Sequence, residues 1–290
     1  MPLETKIVKS KEFYDRIALQ YDDGWWYSNP DSKHVKLLMK NILQLNISKN
    51  SKILDAGCGT CDTEFFLAEK KCEIIGLDIS SNMLKISSEK INKLKIDGIS
   101  LVKGNVEDLP FKNDYFDYVI SEFTLNYVER PFDAFKEITR VLKKNGKIIL
   151  ILSNRKPAYI LIWEMFTRNL DFIRMIQQDC GYISFPKEKI KTHFKRYALK
   201  EVNKIISKLP IKPLKIIGTH SISGFLGYPI LLFSLYANNL KNPKNDIKDI
   251  NHFVKLKGGK IIFNIFRLGE KIDPYFPTIG RDIIIIGKKI

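Results

Sequence analysis

Two overlapping patterns with different chemistry share residues 53–61, which read ILDAGCGTC. Gly57 and Gly59 lack side chains, so a ligand can lie against the peptide backbone and the start of the helix that follows. Cys58 and Cys61 have the C-x-x-C spacing of a redox dithiol or of one half of a zinc site. The surrounding sequence has to decide between these two interpretations.

The cysteine pattern lacks the partners that a zinc site needs. Four cysteines occur, at positions 58, 61, 72 and 180, and no second Cys or His pair lies at zinc spacing. The first residues are polar and show no secretory signal, so we expect reduced thiols and a cytoplasmic protein. Cys58 fills the position between two glycines, and Cys61 is expected to start the following helix. The sequence therefore predicts that these cysteines pack in the core and that the site binds no metal.

The elements that must position the glycine loop alternate between apolar strands and amphipathic helices. Short apolar runs predict strands at 52–56, 73–78, 99–104, 115–121 and 146–152. Apolar residues between these runs recur at helical spacing, and Asn145-Gly146 is expected to end the last helix. Further runs at 214–220 and 281–289 predict two late strands. The pattern indicates an α/β fold with a doubly wound, mostly parallel, seven-stranded sheet.

Three regions are expected along the chain. Residues 1–50 form a helical N-terminal segment over the cofactor site, and residues 51–152 form the cofactor-binding α/β core. Residues 153–290 combine cap insertions with the last two strands of the same sheet. The aromatic-rich stretch 157–195 shows no alternation of strands and helices. The longest apolar run, 222–237, has 16 residues, which is shorter than the roughly 20 that span a bilayer.

Polar side chains follow the second and third predicted strands, at the edge where a doubly wound sheet binds ligands. Asp78 ends the second strand, 19 residues after Gly59, and a carboxylate there can accept hydrogen bonds from a ribose diol. Asn105 and the backbone of Val106 follow the third strand and can meet an adenine edge. A nicotinamide dinucleotide would suit the fold, but Asp62 stands where its fingerprint has a third glycine. The residues thus predict a different cofactor that carries a nucleoside.

The order of these motifs resembles that of the class I S-adenosylmethionine-dependent methyltransferases. D-x-G-x-G-T is followed by an acidic strand end with Ile-Ser-x-x-Met, by G-[DN]-x-x-x-L-P-F and by F-D-x-V. TLNYVERPFDAFKEITRVLKKNGKIILIL, together with FYDRIALQYDD at 13–23, is similar to the group that includes the ubiquinone/menaquinone C-methyltransferases. The resemblance covers roughly residues 11–152 and the last strands. It implies a methyltransferase that uses S-adenosyl-L-methionine as its cofactor.

The resemblance also implies eleven cofactor-binding residues, which come from the N-terminal segment and from the ends of the first four strands. In chain order the implied contacts are Tyr21 closing over the cofactor, Asp55, Gly57, Cys58 and Gly59 around its methionine part, Asp78 on the ribose, Ile79 and Met83 on the adenine face, Asn105 and Val106 on the adenine edge, and Glu122 where the methyl group emerges. The family more often has Asp at position 105, and an amide oxygen is a weaker acceptor than a carboxylate.

The catalytic residue is not identified by these motifs. Methyl transfer from a sulfonium needs a general base only if the acceptor must lose a proton. His193, which lies in THFKRY just before the helix that leads to the sixth strand, is the single candidate base.

The charge distribution bears on the acceptor. The net charge of +16 divides into +1 for residues 1–152 and +15 for residues 153–290. The basic, aromatic half suits an acidic small molecule, an anionic membrane surface that holds a lipid substrate, or RNA. Because this half has 19 Lys and 6 Arg, and RNA recognition usually favours Arg, we expect a small-molecule or lipid-like acceptor under an apolar, basic cap. RNA methylation is the alternative within the enzymes, and a non-catalytic nucleic-acid-binding or scaffold protein is the alternative outside them.

Overall fold

The computed structural model describes residues 6–22, 30–67, 70–155, 180–185, 190–219 and 281–290. Seven of the described strands form one sheet, and three form another. The larger sheet contains β2 (Lys52–Ala56), β3 (Glu73–Asp78), β4 (Ile99–Lys103), β5 (Phe116–Glu122), β6 (Leu142–Ser153), β9 (Ile211–Thr219) and β10 (Asp282–Lys289). The smaller sheet contains β1 (Lys6–Val8), β7 (Cys180–Phe185) and β8 (Ile190–Lys195). The helices are α1 (Ser10–Tyr21), α2 (Pro30–Asn46), α3 (Asp62–Leu67), α4 (Ser81–Leu94), α5 (Pro131–Val141) and α6 (Leu199–Ile206), with a 3₁₀ turn at Thr124–Asn126.

The larger sheet has the strand order β4-β3-β2-β5-β6-β10-β9. Strands β2 to β6 run parallel to one another, and β10 runs antiparallel to both β6 and β9. This topology confirms the predicted doubly wound, mostly parallel, seven-stranded sheet. The direction of winding reverses beside β2, and a doubly wound sheet binds its ligands at the carboxyl ends of the strands at this point.

The sheet is buried on both faces because alternate residues of each strand point to opposite sides. Leu54 and Leu150 belong to one apolar cluster, which includes the buried side chains of α5 and α6. Ile53 and Ile149, their neighbours along the strands, belong to the second cluster, to which α2 contributes Met39. Parallel strands covered in this way leave the edge at their carboxyl ends as the accessible place for a site.

The end of α5 differs from the sequence prediction. The helix ends at Val141, and Leu142 is already extended and pairs with Phe116 on β5. Lys289 on β10 donates a hydrogen bond to the carbonyl oxygen of Leu142 at 2.7 Å. A tertiary contact thus provides a hydrogen-bond donor for the backbone directly after the helix. Asn145, expected to stop the helix, instead has φ +66° within β6, where the register with β5 shifts. The prediction of a helix running to Asn145-Gly146 was therefore wrong.

The smaller sheet was not predicted at all. Its strands β7 and β8 form an antiparallel pair, and β8 ends at the end of the aromatic-rich stretch 157–195, for which no alternation of strands and helices was found; β1 lies in the segment expected to be helical. The apolar run at 222–237, which belongs to the predicted cap, lies outside the described residues. Within the described ranges, no helix has the length and apolar character needed to cross a bilayer.

Candidate active site

A cavity of about 470 Å³ lies at the carboxyl ends of β2, β3 and β5. All eleven residues that the resemblance implies line this cavity. They reach it from α1, from the end of β2 and the loop after it, from the end of β3 through the first turn of α4, from the loop after β4, and from the last residue of β5. The fold therefore brings together side chains that are up to about 100 positions apart in the sequence.

The glycine loop presents bare backbone to the cavity. Gly57 and Gly59 have φ values of +94° and +54°, a region that favours glycine. A Cβ atom at Gly57 would lie 1.9 Å from Thr124 Oγ1, whereas a Cβ at Gly59 would have no atom within 4 Å. The backbone N–H groups of Gly57 and Cys58 donate to the carbonyl oxygen of Leu77 at 2.7 and 3.0 Å, which fixes the loop on β3. The open space beside Gly59 is the kind of cradle that a cofactor bound against peptide groups requires.

Asp78 has a structural role in addition to the predicted ribose contact. Its Oδ2 accepts a hydrogen bond from the Gly59 backbone N–H at 3.0 Å, and its Oδ1 accepts one from the Ser80 N–H at 2.8 Å. Burial raises the pKa of Asp78, and these backbone donors oppose that shift by stabilising the carboxylate. One side chain thus connects the glycine loop to the end of β3.

The residues expected around the adenine follow β3 and β4. Met83 is buried in the first turn of α4, and its backbone N–H donates to Ser80 Oγ, which caps the helix. Asn105 Oδ1 accepts a hydrogen bond from the Glu107 N–H at 3.0 Å, so the amide oxygen is already engaged in a local turn. An adenine amino group would have to use its second lone pair.

Glu122 ends β5 and accepts a hydrogen bond from Thr63 Oγ1 at 2.5 Å. Burial raises the pKa of the Glu122 carboxyl. Lys36 on α2 also lines the cavity, and burial lowers the pKa of its amine to about 8. Its Nζ donates to Asp62 Oδ2 at 2.9 Å. The cavity therefore contains both a carboxyl group and an amine with pKa values shifted toward neutrality.

An aromatic wall, formed by Tyr14, Tyr21, Tyr127 and Phe194, lines the same cavity. The Tyr14 ring contacts the Tyr127 ring edge to face at a centroid distance of 5.1 Å, and Tyr127 contacts Phe194 at 5.0 Å. Burial raises the pKa of Tyr127 to about 12, so its hydroxyl stays protonated at neutral pH. Of these four residues, the sequence analysis had singled out Tyr21 alone.

The helix that carries Tyr14 and Tyr21 is fastened to the core by two polar contacts that sequence reasoning missed. Asp15 accepts hydrogen bonds from Ser80 Oγ at 2.7 Å and from the Asn82 N–H at 3.2 Å, at the start of α4. At the other end of α1, Asp22 pairs with Lys90 and accepts from Thr60 Oγ1. The sequence signal was weak, because each aspartate lies at least 38 positions from its partners along the chain.

His193 does not line the cavity in the described part of the chain. Its side chain is exposed on β8, where residues alternate between the two faces of the smaller sheet. Phe194 and Arg196, which follow it, do line the cavity. The assignment of His193 as a base is thus a prediction without a geometric argument in its favour.

The two cysteines of the loop lie side by side beneath it. Cys61 has φ +62° and directly precedes α3, which begins at Asp62 rather than at the cysteine. Its thiol donates to Glu64 Oε1 at 3.3 Å, and both side chains are fully buried. Burial raises the pKa values of the carboxyls of Glu64 and Asp55; the neighbouring Glu64 adds to the shift at Asp55, and Cys61 adds to the shift at Glu64. Glu64 was not considered in the sequence analysis.

The contact at the end of α1 gives a testable prediction. Lys90 Nζ lies 2.5 Å from Asp22 Oδ2 and 3.2 Å from the Thr60 carbonyl oxygen, so it holds α1 against the glycine loop. We expect Lys90→Met to loosen α1 and to weaken cofactor binding about tenfold, which corresponds to ~1.4 kcal/mol. Lys85→Met, at an exposed position of the same helix, is the matched control. Limited proteolysis within α1 and calorimetry measure the two effects, and equal behaviour of the two variants would contradict the prediction.

Comparison with known proteins gives one family and several relatives. Residues 47–210 match the family model described as a methyltransferase domain. Demethylmenaquinone methyltransferase from Listeria welshimeri serovar 6b is 34% identical over 152 residues, which cover 51% of this chain and 64% of that protein. The chain thus spans less than two-thirds of the length of this relative.

Solved structures share the fold over nearly the whole chain. The [4+2]-cyclase SpnF superposes with a TM-score of 0.62 at 14% identity, covering 99% of this chain and 98% of that one. An S-adenosylmethionine-dependent methyltransferase from Thermotoga maritima, described as a possible histamine N-methyltransferase, has a TM-score of 0.55 at 18% identity, covering 97% of this chain and 99% of that one. At such identities the likeness concerns the fold alone.

Proposed function

Because the chain belongs to the methyltransferase domain family, whose model matches more than half of it, we propose that it transfers a methyl group from S-adenosylmethionine to a small or lipid-like acceptor with an aromatic ring. The observation that carries this proposal is the cavity in which the glycine loop, Asp78 and the other implied residues meet. The open space beside Gly59 accommodates a cofactor against the backbone. The acceptor is inferred separately, from the aromatic wall.

Some of the described residues would bind the cofactor, and others would align the acceptor or accept its proton. S-adenosylmethionine, when bound, supplies a methyl group that is already activated on a sulfonium. The protein's task is then to align the acceptor and to exclude water. Asp78 and the glycine loop would hold the cofactor, and α1 would cover it through Tyr14 and Tyr21. Glu122, in the wall near the loop, is a second candidate for the group that accepts a proton from the acceptor.

The aromatic wall supports an acceptor that carries a ring. Tyr14, Tyr127 and Phe194 offer ring edges and faces, against which another aromatic ring packs favourably. The Tyr127 hydroxyl, which stays protonated, can donate to an oxygen of the acceptor. Arg196 adds a positive charge to the same wall. The name of the relative from Listeria welshimeri, demethylmenaquinone methyltransferase, points to the same chemistry, and we propose a quinol-like acceptor on these combined grounds.

The test is transfer of labelled methyl from S-adenosylmethionine to a panel of acceptors. A short-chain demethylmenaquinol, a simple phenol and total RNA should each be offered to the full chain. We expect labelled quinol, little labelled phenol and no labelled RNA. Label in RNA alone would replace the proposal by RNA methylation, and cofactor binding without any transfer to the panel would reject the quinol-like acceptor.

The non-catalytic alternative predicts a different result from the same protein. A scaffold would show salt-dependent RNA binding and no affinity for S-adenosylmethionine. Contact with an anionic membrane remains a prediction from the basic half, most of which lies outside the described residues. Vesicle sedimentation with and without anionic lipid measures that contact directly.

A further inference from the structure

Two thiols and two carboxyl groups meet beneath the glycine loop, where β2, β3 and the first turn of α3 come together. Cys58 Sγ, Cys61 Sγ and a carboxylate oxygen of Glu64 lie within 4.8 Å of one another, and all three side chains are buried. Asp55, at the end of β2, contacts Glu64 and is 3% exposed. Proteins rarely bury two carboxyl groups side by side without a compensating partner.

Two oxygen atoms of this cluster have no partner. Asp55 Oδ1 and Glu64 Oε2 are buried and make no hydrogen bond. Among the described residues, no Lys or Arg forms an ion pair with either carboxylate. An unsatisfied buried polar atom costs about 1–3 kcal/mol, and more when it is charged. The cluster therefore contains atoms of the kind that bind a cation, and no basic side chain among the described residues pairs with its carboxylates.

We propose that Cys58, Cys61 and Glu64 bind one Zn²⁺ ion beside Asp55. Two thiolates favour a borderline-soft ion over Mg²⁺ or Ca²⁺, and tetrahedral zinc accepts both sulfur and carboxylate oxygen. Zinc–ligand bonds of about 2.0–2.3 Å place neighbouring ligand atoms roughly 3.3–3.8 Å apart. The three ligand atoms lie within 4.8 Å of one another, so the widest separation has to shorten by roughly 1–1.5 Å. The two thiols, and the Glu64 carboxyl in its protonated form, release their protons to solvent as the ion binds.

The local backbone accommodates the cluster. A Cβ atom at Gly76, in the middle of β3, would lie 3.0 Å from Cys58 Sγ and 3.1 Å from Glu64 Oε1, so a glycine there leaves room for the ligands. The Cys61 N–H donates to the Cys58 carbonyl oxygen at 2.9 Å, which folds the C-x-x-C stretch into a tight turn. The sequence analysis expected no metal because it searched for a second Cys or His pair. The oxygen ligand Glu64 lies outside that pattern.

Cobalt substitution tests the site without reference to methyl transfer. The background is the full chain with Cys72→Ser and Cys180→Ser, which retains only Cys58 and Cys61 as cysteines. Co²⁺ added to this metal-free protein should saturate at one ion per chain and produce thiolate-to-cobalt charge-transfer absorption in the near ultraviolet. Zn²⁺ should displace the cobalt and abolish the band. Elemental analysis of protein purified with zinc in the medium should give about one zinc per chain.

Single variants identify the ligands. Cys61→Ser should remove about half of the charge-transfer intensity and weaken cobalt binding at least about tenfold. Glu64→Gln should weaken binding while retaining the full thiolate band. If Cys61→Ser does not fold, the parent spectrum and Glu64→Gln decide the question. Absence of the band at stoichiometric cobalt, a band that survives in both variants at full affinity, or isolation of the chain with a Cys58–Cys61 disulfide would overturn the proposal.

Discussion

Replacing Asp78 by Ala is expected to weaken S-adenosylmethionine binding about a hundredfold or more, because hydrogen bonds to a charged group contribute about 1.5–3 kcal/mol each. The predicted ribose contacts disappear with the carboxylate. The same change removes the acceptors of the Gly59 and Ser80 N–H groups. The loop that faces the cofactor therefore loses its connection to the end of β3, which adds to the direct effect.

Titration calorimetry on matched variants separates the two contributions. Asp78→Asn preserves the shape and one acceptor, so we expect binding between that of the parent and that of Asp78→Ala. Glu73→Ala changes a carboxylate at the opposite end of the same strand, where it pairs with Lys52, and should leave binding unchanged. Parent-like affinity in Asp78→Ala would remove the main support for the cofactor site.

The second large effect is expected from the glycine loop, where two similar substitutions should behave differently. Gly57→Ala places a methyl group 1.9 Å from Thr124 Oγ1 at a φ of +94°, so the backbone of the loop must move. We expect a loss of about 2–4 kcal/mol in unfolding free energy together with loss of binding. Gly59→Ala has φ +54° and open space around its Cβ, so the fold should lose only about 1 kcal/mol.

Gly59→Ala should nevertheless bind the cofactor poorly, because its methyl group enters the space reserved for the ligand. Urea denaturation gives the stability of each variant, and calorimetry gives its affinity. The diagnostic result is a Gly59→Ala protein that is nearly as stable as the parent and defective in binding. A variant that binds normally would show that no ligand lies against this part of the backbone.

The fold was accessible to sequence reasoning because local patterns dictate it. Each strand of the large sheet is a short apolar run, and each helix between the strands shows 3.6-residue periodicity, so both their existence and their order were predictable. The end of α5 was not, since it depends on Lys289, which is nearly 150 positions away along the chain. The pairing of β1 with β8 likewise joins two short segments that are more than 180 positions apart along the chain.

The candidate site was predictable to the extent that it lies on the strand ends. Glycines and carboxylates at those ends follow from the rule for doubly wound sheets, and the family resemblance supplied the remaining positions. Tyr127, Phe194 and Arg196 were missed because their sequence context resembles ordinary core or surface. Glu64 was missed for a different reason. A glutamate in the first turn of a helix is common, and only the three-dimensional structure shows that it is buried beside two thiols.

The position of β10 has a consequence for biosynthesis. This strand, which contains four consecutive isoleucines, lies between β6 and β9 and hydrogen-bonds to both. During synthesis, β6 will therefore have an unpaired edge and β9 will have no neighbouring strand until the isoleucine segment emerges from the ribosome, about 60 residues after β9. Open edges and an apolar β-branched segment together favour aggregation. The yield of native protein should consequently depend on chaperones that shield those edges during translation.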